Sequence, residues 1–134
     1  MAASSVAAES PGYAVEDFAY PQADKIQQEL GILLKRGDGH IMLAECGSQD
    51  GLLEVWSRSN SRICFRVTGA SGYLALEIPA VYGVKTNNYD AELTMTVDDE
   101  EKNVDVPKNT YQAVGETSDP LGRRHMLVEI STAK

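Results

Sequence analysis

The sequence has few of the residues on which most catalytic and metal sites depend. It contains two histidines and two cysteines among 134 residues. No C-x-x-C pair and no Cys/His cluster with the spacing of a tetrahedral zinc site occurs. No G-x-S-x-G elbow marks a serine nucleophile either. The sequence therefore predicts no catalytic residues, no metal site and no cofactor.

Basic side chains are also in the minority. The chain has 12 Lys and Arg against 20 Asp and Glu, which gives a net charge of −8. Nucleic acid and anionic lipid surfaces both require a basic protein surface, so this balance argues against either as a partner. No apolar run approaches the roughly 20 residues that span a bilayer. We expect no nucleic-acid binding and no membrane insertion.

The remaining composition is that of a folded protein. Hydrophobic residues make up 43% of the chain and charged residues 24%, which is typical of a globular domain. A chain of this length can bury a core without a metal or a dense set of disulfides. We predict a single β-rich domain over residues 21–134, preceded by a flexible arm over residues 1–20 that shows no sustained hydrophobic period.

Most of the predicted domain alternates between apolar and polar residues, the pattern of strands with one buried face. Turn-forming Gly, Pro and Asn residues separate some eight such segments, which predicts a mainly β fold, an antiparallel β-sandwich or barrel of about eight short strands. The residues predicted to form the core are Ile63, Phe65, Val67, Leu74, Leu76, Leu93, Met95, Val128 and Ile130.

One short helix and one glycine-rich hairpin are predicted at the start of the domain. The helix covers residues 21–31, because Pro21 suits a first helical turn and Gly31 can adopt the left-handed conformation that ends a helix. The segment Arg36–Gly39 is a turn suited to join strands over residues 32–35 and 40–45 as a hairpin.

The two cysteines, Cys46 and Cys64, allow two interpretations. They are either buried thiols of a cytosolic protein or one disulfide of an exported protein. The small residues that follow Met1 resemble the end of a signal-peptide cleavage region, without the basic and apolar regions that precede it. We therefore expect a mature secreted form with an initiating Met restored, and a Cys46–Cys64 disulfide that stabilises the fold by about 3 kcal/mol in the chain-entropy model.

The N-terminal arm carries more apolar side chains than a passive tail requires. Tyr13, Val15, Phe18 and Tyr20 are costly to leave in water, so we predict that they bind a partner. The alternative is that the arm packs along a sheet edge of its own domain.

Three other features have a structural interpretation beside a functional one. His40 is expected in a turn or at a strand edge, and His125 on the surface of the last strand. The acidic run Asp98–Glu101 indicates a solvated hairpin tip more than a calcium site, because it lacks the spacing of a calcium loop. The single tryptophan, Trp56, is expected in the core, with a sugar-stacking platform as the alternative.

Several segments resemble a family of small exported actinobacterial β-rich proteins. They are Leu34–Ile41, Leu52–Trp56, Cys64–Phe65, Gly72–Leu74, Val114–Glu116 and Leu127–Ile130, and they extend the likeness over roughly residues 20–131. Within this group the chain is similar to the small adaptor subunit of secreted umbrella toxin particles. The resemblance implies an adaptor between a toxin-bearing stalk protein and a lectin-like subunit. It also implies that the segment from Tyr13 to Tyr20 inserts into a cleft of the lectin-like partner.

The sequence thus favours a non-enzymatic, secreted protein-binding module, an adaptor of a toxin complex. One alternative is an inhibitor that plugs the cleft of an extracellular hydrolase with its arm. Another is a small carbohydrate-binding protein or enzyme with its site around Trp56, His40 and nearby carboxylates.

Overall fold

The computed structural model describes residues 18–134 and contains eleven strands, one α-helix and one 3₁₀ turn. The helix is α1 (Ala23–Leu30), and the 3₁₀ turn is Gly115–Ser118. The strands are β1 (Phe18–Ala19), β2 (Leu33–Gly37), β3 (Ile41–Ala44), β4 (Leu53–Ser57), β5 (Ser61–Val67), β6 (Ser71–Ile78), β7 (Val81–Lys85), β8 (Asp90–Val97), β9 (Glu100–Val106), β10 (Tyr111–Ala113) and β11 (Met126–Ala133).

The strands form two antiparallel sheets. The six-stranded sheet has the order β1-β2-β6-β11-β8-β9, and the five-stranded sheet has the order β10-β7-β4-β5-β3. Neither sheet closes on itself among the described residues, so the fold is a β-sandwich and not a barrel. The predicted fold class is confirmed, with eleven strands in place of about eight; two of the additional strands are the very short β1 and β10, which the sequence pattern does not mark.

The core lies between the sheets and contains most of the residues predicted for it. Those that are buried as predicted are Ile63, Phe65, Leu74, Leu76, Leu93, Met95 and Ile130. Val67 is partly buried and packs against this cluster. Successive residues of a strand face opposite sides of a sheet, so period-two alternation was a reliable guide to the buried face.

Val128 is the exception among the predicted core residues. The pairing of β11 shifts by one residue between Leu127 and Glu129 against both of its neighbours, β6 and β8. A β-bulge of this kind changes which side of the sheet the following residues face. Leu127 and Ile130 are fully buried and Val128 only half-buried, so the prediction for Val128 was wrong.

The predicted hairpin around Arg36–Gly39 does not form. β2 pairs with β6 in the six-stranded sheet, whereas β3 pairs with β5 in the five-stranded sheet. The turn therefore carries the chain from one sheet to the other. Asp38 fixes this crossover, because its Oδ1 accepts hydrogen bonds from the backbone N–H groups of His40 at 3.0 Å and Tyr73 at 3.2 Å.

The helix forms close to the predicted position and ends as predicted. Gly31 has a φ of 72° and donates its backbone N–H to the carbonyl of Gln27 at 2.9 Å. The Asn60 side chain donates a hydrogen bond to the carbonyl of Leu30, so the end of α1 is tied to the β4–β5 turn. Ile26 packs against the core from the inner face of the helix. No helix among residues 18–134 is long and apolar enough to cross a membrane.

The disulfide between Cys46 and Cys64 is confirmed, with the two Cα atoms 5.2 Å apart. Cys64 is buried on β5, and Cys46 lies two residues beyond the end of β3. β3 is an edge strand whose neighbour in the sheet is β5. The bond therefore fastens the end of an edge strand to the strand beside it.

We expect Phe65→Ala to lower the free energy of unfolding by about 3–5 kcal/mol, because Phe65 is fully buried and its removal leaves a cavity. Urea unfolding measures this change. The other phenylalanine, Phe18, is 62% exposed, so Phe18→Ala is a matched control that should change stability little. Equal effects of the two substitutions would contradict the assignment of Phe65 to the core.

Candidate functional site

The last residues of the predicted arm belong to the sandwich. Phe18 pairs with Gly37 and Ala19 with Arg36, so β1 extends the six-stranded sheet at the edge of β2. Tyr20 is 8% exposed and donates its backbone N–H to the carbonyl of Lys35 at 2.9 Å. Residues 18–20 are thus part of the fold. The predicted boundary at residue 20 has to be moved toward the N-terminus.

Tyr20 also joins the edges of the two sheets. Its hydroxyl accepts a hydrogen bond from the backbone N–H of Leu43 on β3 at 2.8 Å. Burial raises the pKa of the Tyr20 hydroxyl, which keeps the group in its neutral form. Because the N–H groups of an edge strand otherwise attract foreign strands, this contact also protects part of β3.

The four predicted partner-binding residues therefore separate into three groups. Tyr13 and Val15 lie outside the described residues. Phe18 is exposed on an edge strand, where a partner can reach it. Tyr20 is a core residue, and its predicted role as a side chain that a partner contacts is corrected accordingly. Its ring is buried because the short β1 strand places it between the edges of the two sheets.

The two histidines contact different parts of the fold. His40 is half-buried, and its Nδ1 lies 3.3 Å from the hydroxyl of Thr68. His125 is buried and not on the surface, because it precedes β11 and packs against the 3₁₀ turn at Gly115. The Nδ1 of His125 lies 2.8 Å from the carbonyl of Arg123 and therefore acts as the donor. Among residues 18–134, no group of three His, Cys, Asp or Glu side chains is placed to hold a metal ion.

The outer face of the five-stranded sheet carries an aromatic pair. On β4, Leu53 and Val55 face the core, so Trp56 faces outward and is half-buried. The ring of Tyr111 on β10 meets Trp56 edge to face, with 5.5 Å between centroids and 77° between planes. Gly83, which lies opposite Trp56 on β7, contacts the Tyr111 ring where any side chain would clash with it. Tyr111 remains 53% exposed, so the pair presents an aromatic corner to solvent.

A polar cleft of about 380 Å³ adjoins this aromatic corner. Its charged lining residues are Asp50, Glu54, Arg62 and Lys85, and its amide side chains are those of Gln49, Asn87 and Asn109. Lys85 connects the two features, because it lies opposite Glu54 on one side and opposite Tyr111 on the other. The cleft and the corner therefore form one continuous surface, which we call the β4–β7–β10 surface.

Hydrogen bonds of two buried polar residues, Asn87 and Thr86, hold the walls of this cleft. The Asn87 side chain donates to the carbonyl of Gly51 at 3.0 Å and accepts the backbone N–H of Tyr89 at 3.1 Å. The Thr86 hydroxyl donates to the carbonyl of Pro107 and accepts the N–H of Thr110. These bonds fix the loops on both sides of the cleft before any ligand binds.

An ion pair between a buried carboxylate and a partly exposed guanidinium group holds the segment that follows β10. The Asp119 side chain is 0% exposed and accepts two hydrogen bonds from the Arg123 guanidinium, at 2.9 and 3.1 Å. These bonds hold the pKa of the Asp119 carboxyl well below its usual range. Arg123 also binds Asp98 at 3.0 Å and so joins this segment to the β8–β9 hairpin tip, which makes Asp98 a structural residue.

The two sheets differ in charge. The strands of the six-stranded sheet carry seven acidic and three basic side chains, whereas those of the five-stranded sheet carry one acidic and three basic side chains. Among the strand residues, negative charge thus predominates on the six-stranded sheet, whereas the sheet that carries the aromatic corner has more basic than acidic side chains.

The expectation that Trp56 lies in the core was wrong, because the alternation of β4 turns it outward, as in the alternative of a surface platform. Sequence reasoning missed Tyr111, Lys85 and Asn109. Lys85 ends β7 and is placed beside Glu54 by the pairing of β4 with β7. Asn109 and Tyr111 lie in a polar segment without alternation, and the pairing of β7 with β10 brings Tyr111 beside Lys85. His40, predicted beside Trp56 in the carbohydrate-binding alternative, does not line this cleft: its backbone N–H donates to Asp38 and its ring contacts Thr68.

The sequence matches no protein-family model and no curated protein.

We expect Tyr20→Phe to lower the free energy of unfolding by about 1–2 kcal/mol, because it leaves the Leu43 N–H without its acceptor while retaining the buried ring. Urea unfolding measures the difference. Tyr111→Phe removes a hydroxyl from an exposed ring and should have a smaller effect. Unchanged stability of Tyr20→Phe would show that water replaces the hydroxyl.

We expect Asp119→Asn to lower the melting temperature at neutral pH. A carboxyl whose pKa is depressed on folding stabilises the protein above its unfolded pKa, near 4, and this stabilisation disappears as the pH falls toward the folded value. The difference in melting temperature between the variant and the parent protein should therefore become smaller as the pH falls below about 4. Thermal melts from pH 7 downward measure it. Asp99→Asn, in the exposed hairpin tip, is the control, and a pH-independent difference would refute the ion-pair assignment.

Proposed function

We propose that this protein is an exported, non-enzymatic adaptor that binds other secreted proteins through its N-terminal segment. In the terms of the family resemblance, it joins a toxin-bearing stalk protein to a lectin-like subunit. Tyr13, Val15 and Phe18 are the side chains that enter the partner, and Tyr20 is the internal anchor that fixes where the segment leaves the domain.

The observation that carries this proposal is the contrast between Phe18 and Tyr20. Phe18 is 62% exposed, whereas Tyr20, two residues later, is buried and hydrogen-bonded to both sheets. An exposed aromatic side chain is expensive in water and is typical of the residues that dominate protein interfaces. Because β1 already fixes the position of Phe18, a partner that binds this side chain loses less free energy to its ordering.

The edge position of β1 supports the same proposal. β1 is the outermost strand of the six-stranded sheet, and β2 is its one neighbour among the described strands. An unpaired strand edge can accept a strand from another protein, with main-chain hydrogen bonds for affinity and side-chain pockets for specificity.

The disulfide supports export. Disulfides form and persist in oxidising compartments and are rare in the cytosol. Cys46 and Cys64 are the two cysteines of the chain, and both are used in this bond.

Removal of residues 1–17 tests this function. We expect a chain that begins at Phe18 to melt at the temperature of the full protein, because β1 and the Tyr20 contacts are retained. It should no longer capture the stalk and lectin-like partners from culture supernatant, as judged by pull-down and mass spectrometry. In the full chain, Phe18→Ala should weaken capture.

Leu121→Ala, at a side chain that is 76% exposed, is the matched control and should leave capture unchanged. Full capture by the shortened chain would refute the role of the arm. Capture of a single hydrolase whose activity falls on binding would replace the adaptor with an inhibitor.

A further inference from the structure

We infer that the β4–β7–β10 surface is a second binding site, and that its ligand is an uncharged saccharide. This site lies on strands other than β1 and does not depend on the proposed adaptor function. Three properties of the surface lead to this assignment: an exposed aromatic corner, a lining with balanced charge, and walls that are fixed in advance.

The aromatic corner supplies an apolar contact of the kind that sugar rings use. Tyr111 is 53% exposed although it packs on Trp56 and Gly83, so one part of its ring is held in place while the rest faces solvent. The C–H groups of a pyranose ring can pack against such a surface. Because the ring is already immobilised, binding costs little side-chain entropy.

The charge of the cleft favours an uncharged ligand. Two carboxylates, Asp50 and Glu54, oppose two cations, Arg62 and Lys85, in the same lining. Glu54 and Arg62 also form an ion pair with each other at 3.4 Å. The two carboxylates would repel an anionic ligand, and the two basic groups would repel a cationic one. A neutral molecule experiences neither repulsion.

The same side chains fit a ligand that is rich in hydroxyl groups. Carboxylates accept hydrogen bonds, ammonium and guanidinium groups donate them, and the amides of Gln49 and Asn109 do both. A sugar hydroxyl both donates and accepts, so a row of hydroxyls can satisfy this mixed lining. Arg62 is 44% exposed in its side chain, which leaves donors available beyond its contact with Glu54.

The size and rigidity of the cleft are consistent with this ligand. A volume of about 380 Å³ lies at the small end of the range for ligand pockets. The internal hydrogen bonds of Asn87 and Thr86 hold both walls, so these two residues shape the site and leave ligand contact to the charged and amide groups. From the cleft, the ligand chain would continue past Lys85 onto Tyr111.

The fluorescence of Trp56 provides the test, because it is the single tryptophan of the chain and lies in the site. The full protein is first screened on an array of neutral and acidic glycans and then titrated with the neutral hexasaccharides of glucose, mannose and N-acetylglucosamine. We expect saturable binding of a neutral glycan with a change in Trp56 emission, and an affinity that 0.5 M NaCl, a salt level at which exposed charges are strongly screened, leaves almost unchanged.

Two substitutions identify the surface. Tyr111→Ala should weaken binding about tenfold or more through loss of the aromatic contact. Lys85→Ala should also weaken it, and provides the second variant if Tyr111→Ala disturbs the fold by near-UV circular dichroism. Lys108→Ala, a nearby exposed lysine outside the cleft lining, and Leu121→Ala are controls that should bind like the parent.

Three results would overturn the inference. The first is that no neutral glycan binds. The second is that acidic glycans or acidic peptides bind instead and are released by salt, which would make the surface an ionic site. The third is that folded Tyr111→Ala and Lys85→Ala variants bind as tightly as the parent. Because the site is assigned to β4, β7, β10 and their loops, we expect the chain that begins at Phe18 to bind the glycan like the full protein even where it loses partner capture, so the two proposals can fail separately.

Discussion

Burial of one face of each sheet against the other determines which side chains remain for binding. On β4, Leu53 and Val55 must face the core, and this requirement places Glu54 and Trp56 outside. The register of β7 then sets Gly83 and Lys85 beside them. The aromatic corner and the cleft are therefore consequences of core packing, and a one-residue slip of β4 would destroy both at once.

Alternation in the sequence was sufficient to predict the sandwich and most of its core, because the period of a strand is a local property. Phe65 and Leu76 could be assigned to the interior from their immediate neighbours alone. The same reasoning failed at Val128, where a bulge changes the facing of β11 without any glycine or proline to signal it. Periodicity predicts the buried face only as long as the pairing is regular.

Features that depend on distant contacts could not be predicted in this way. The turn at Asp38 resembles a hairpin locally, yet β2 and β3 find partners far along the chain and end in different sheets. Tyr20 resembles the other aromatic residues of the arm, and only the edge of β3, more than 20 residues later, makes it a core residue. Tyr111 likewise gains its place from β7. The disulfide was predictable because the chain offers one possible pair.

The unequal charge of the strand residues makes the two faces of the sandwich electrically different, with the negative excess on the six-stranded sheet. The protein as a whole is anionic, so an anionic surface repels it. In dilute salt the five-stranded sheet is repelled less than the six-stranded sheet, and it is therefore the sheet that faces such a surface. At physiological ionic strength the Debye length is about 8 Å, less than the spacing of about 10 Å between packed sheets, so this preference for one orientation acts only at close range. The protein therefore approaches an anionic neighbour with the aromatic corner foremost and the acidic sheet facing away.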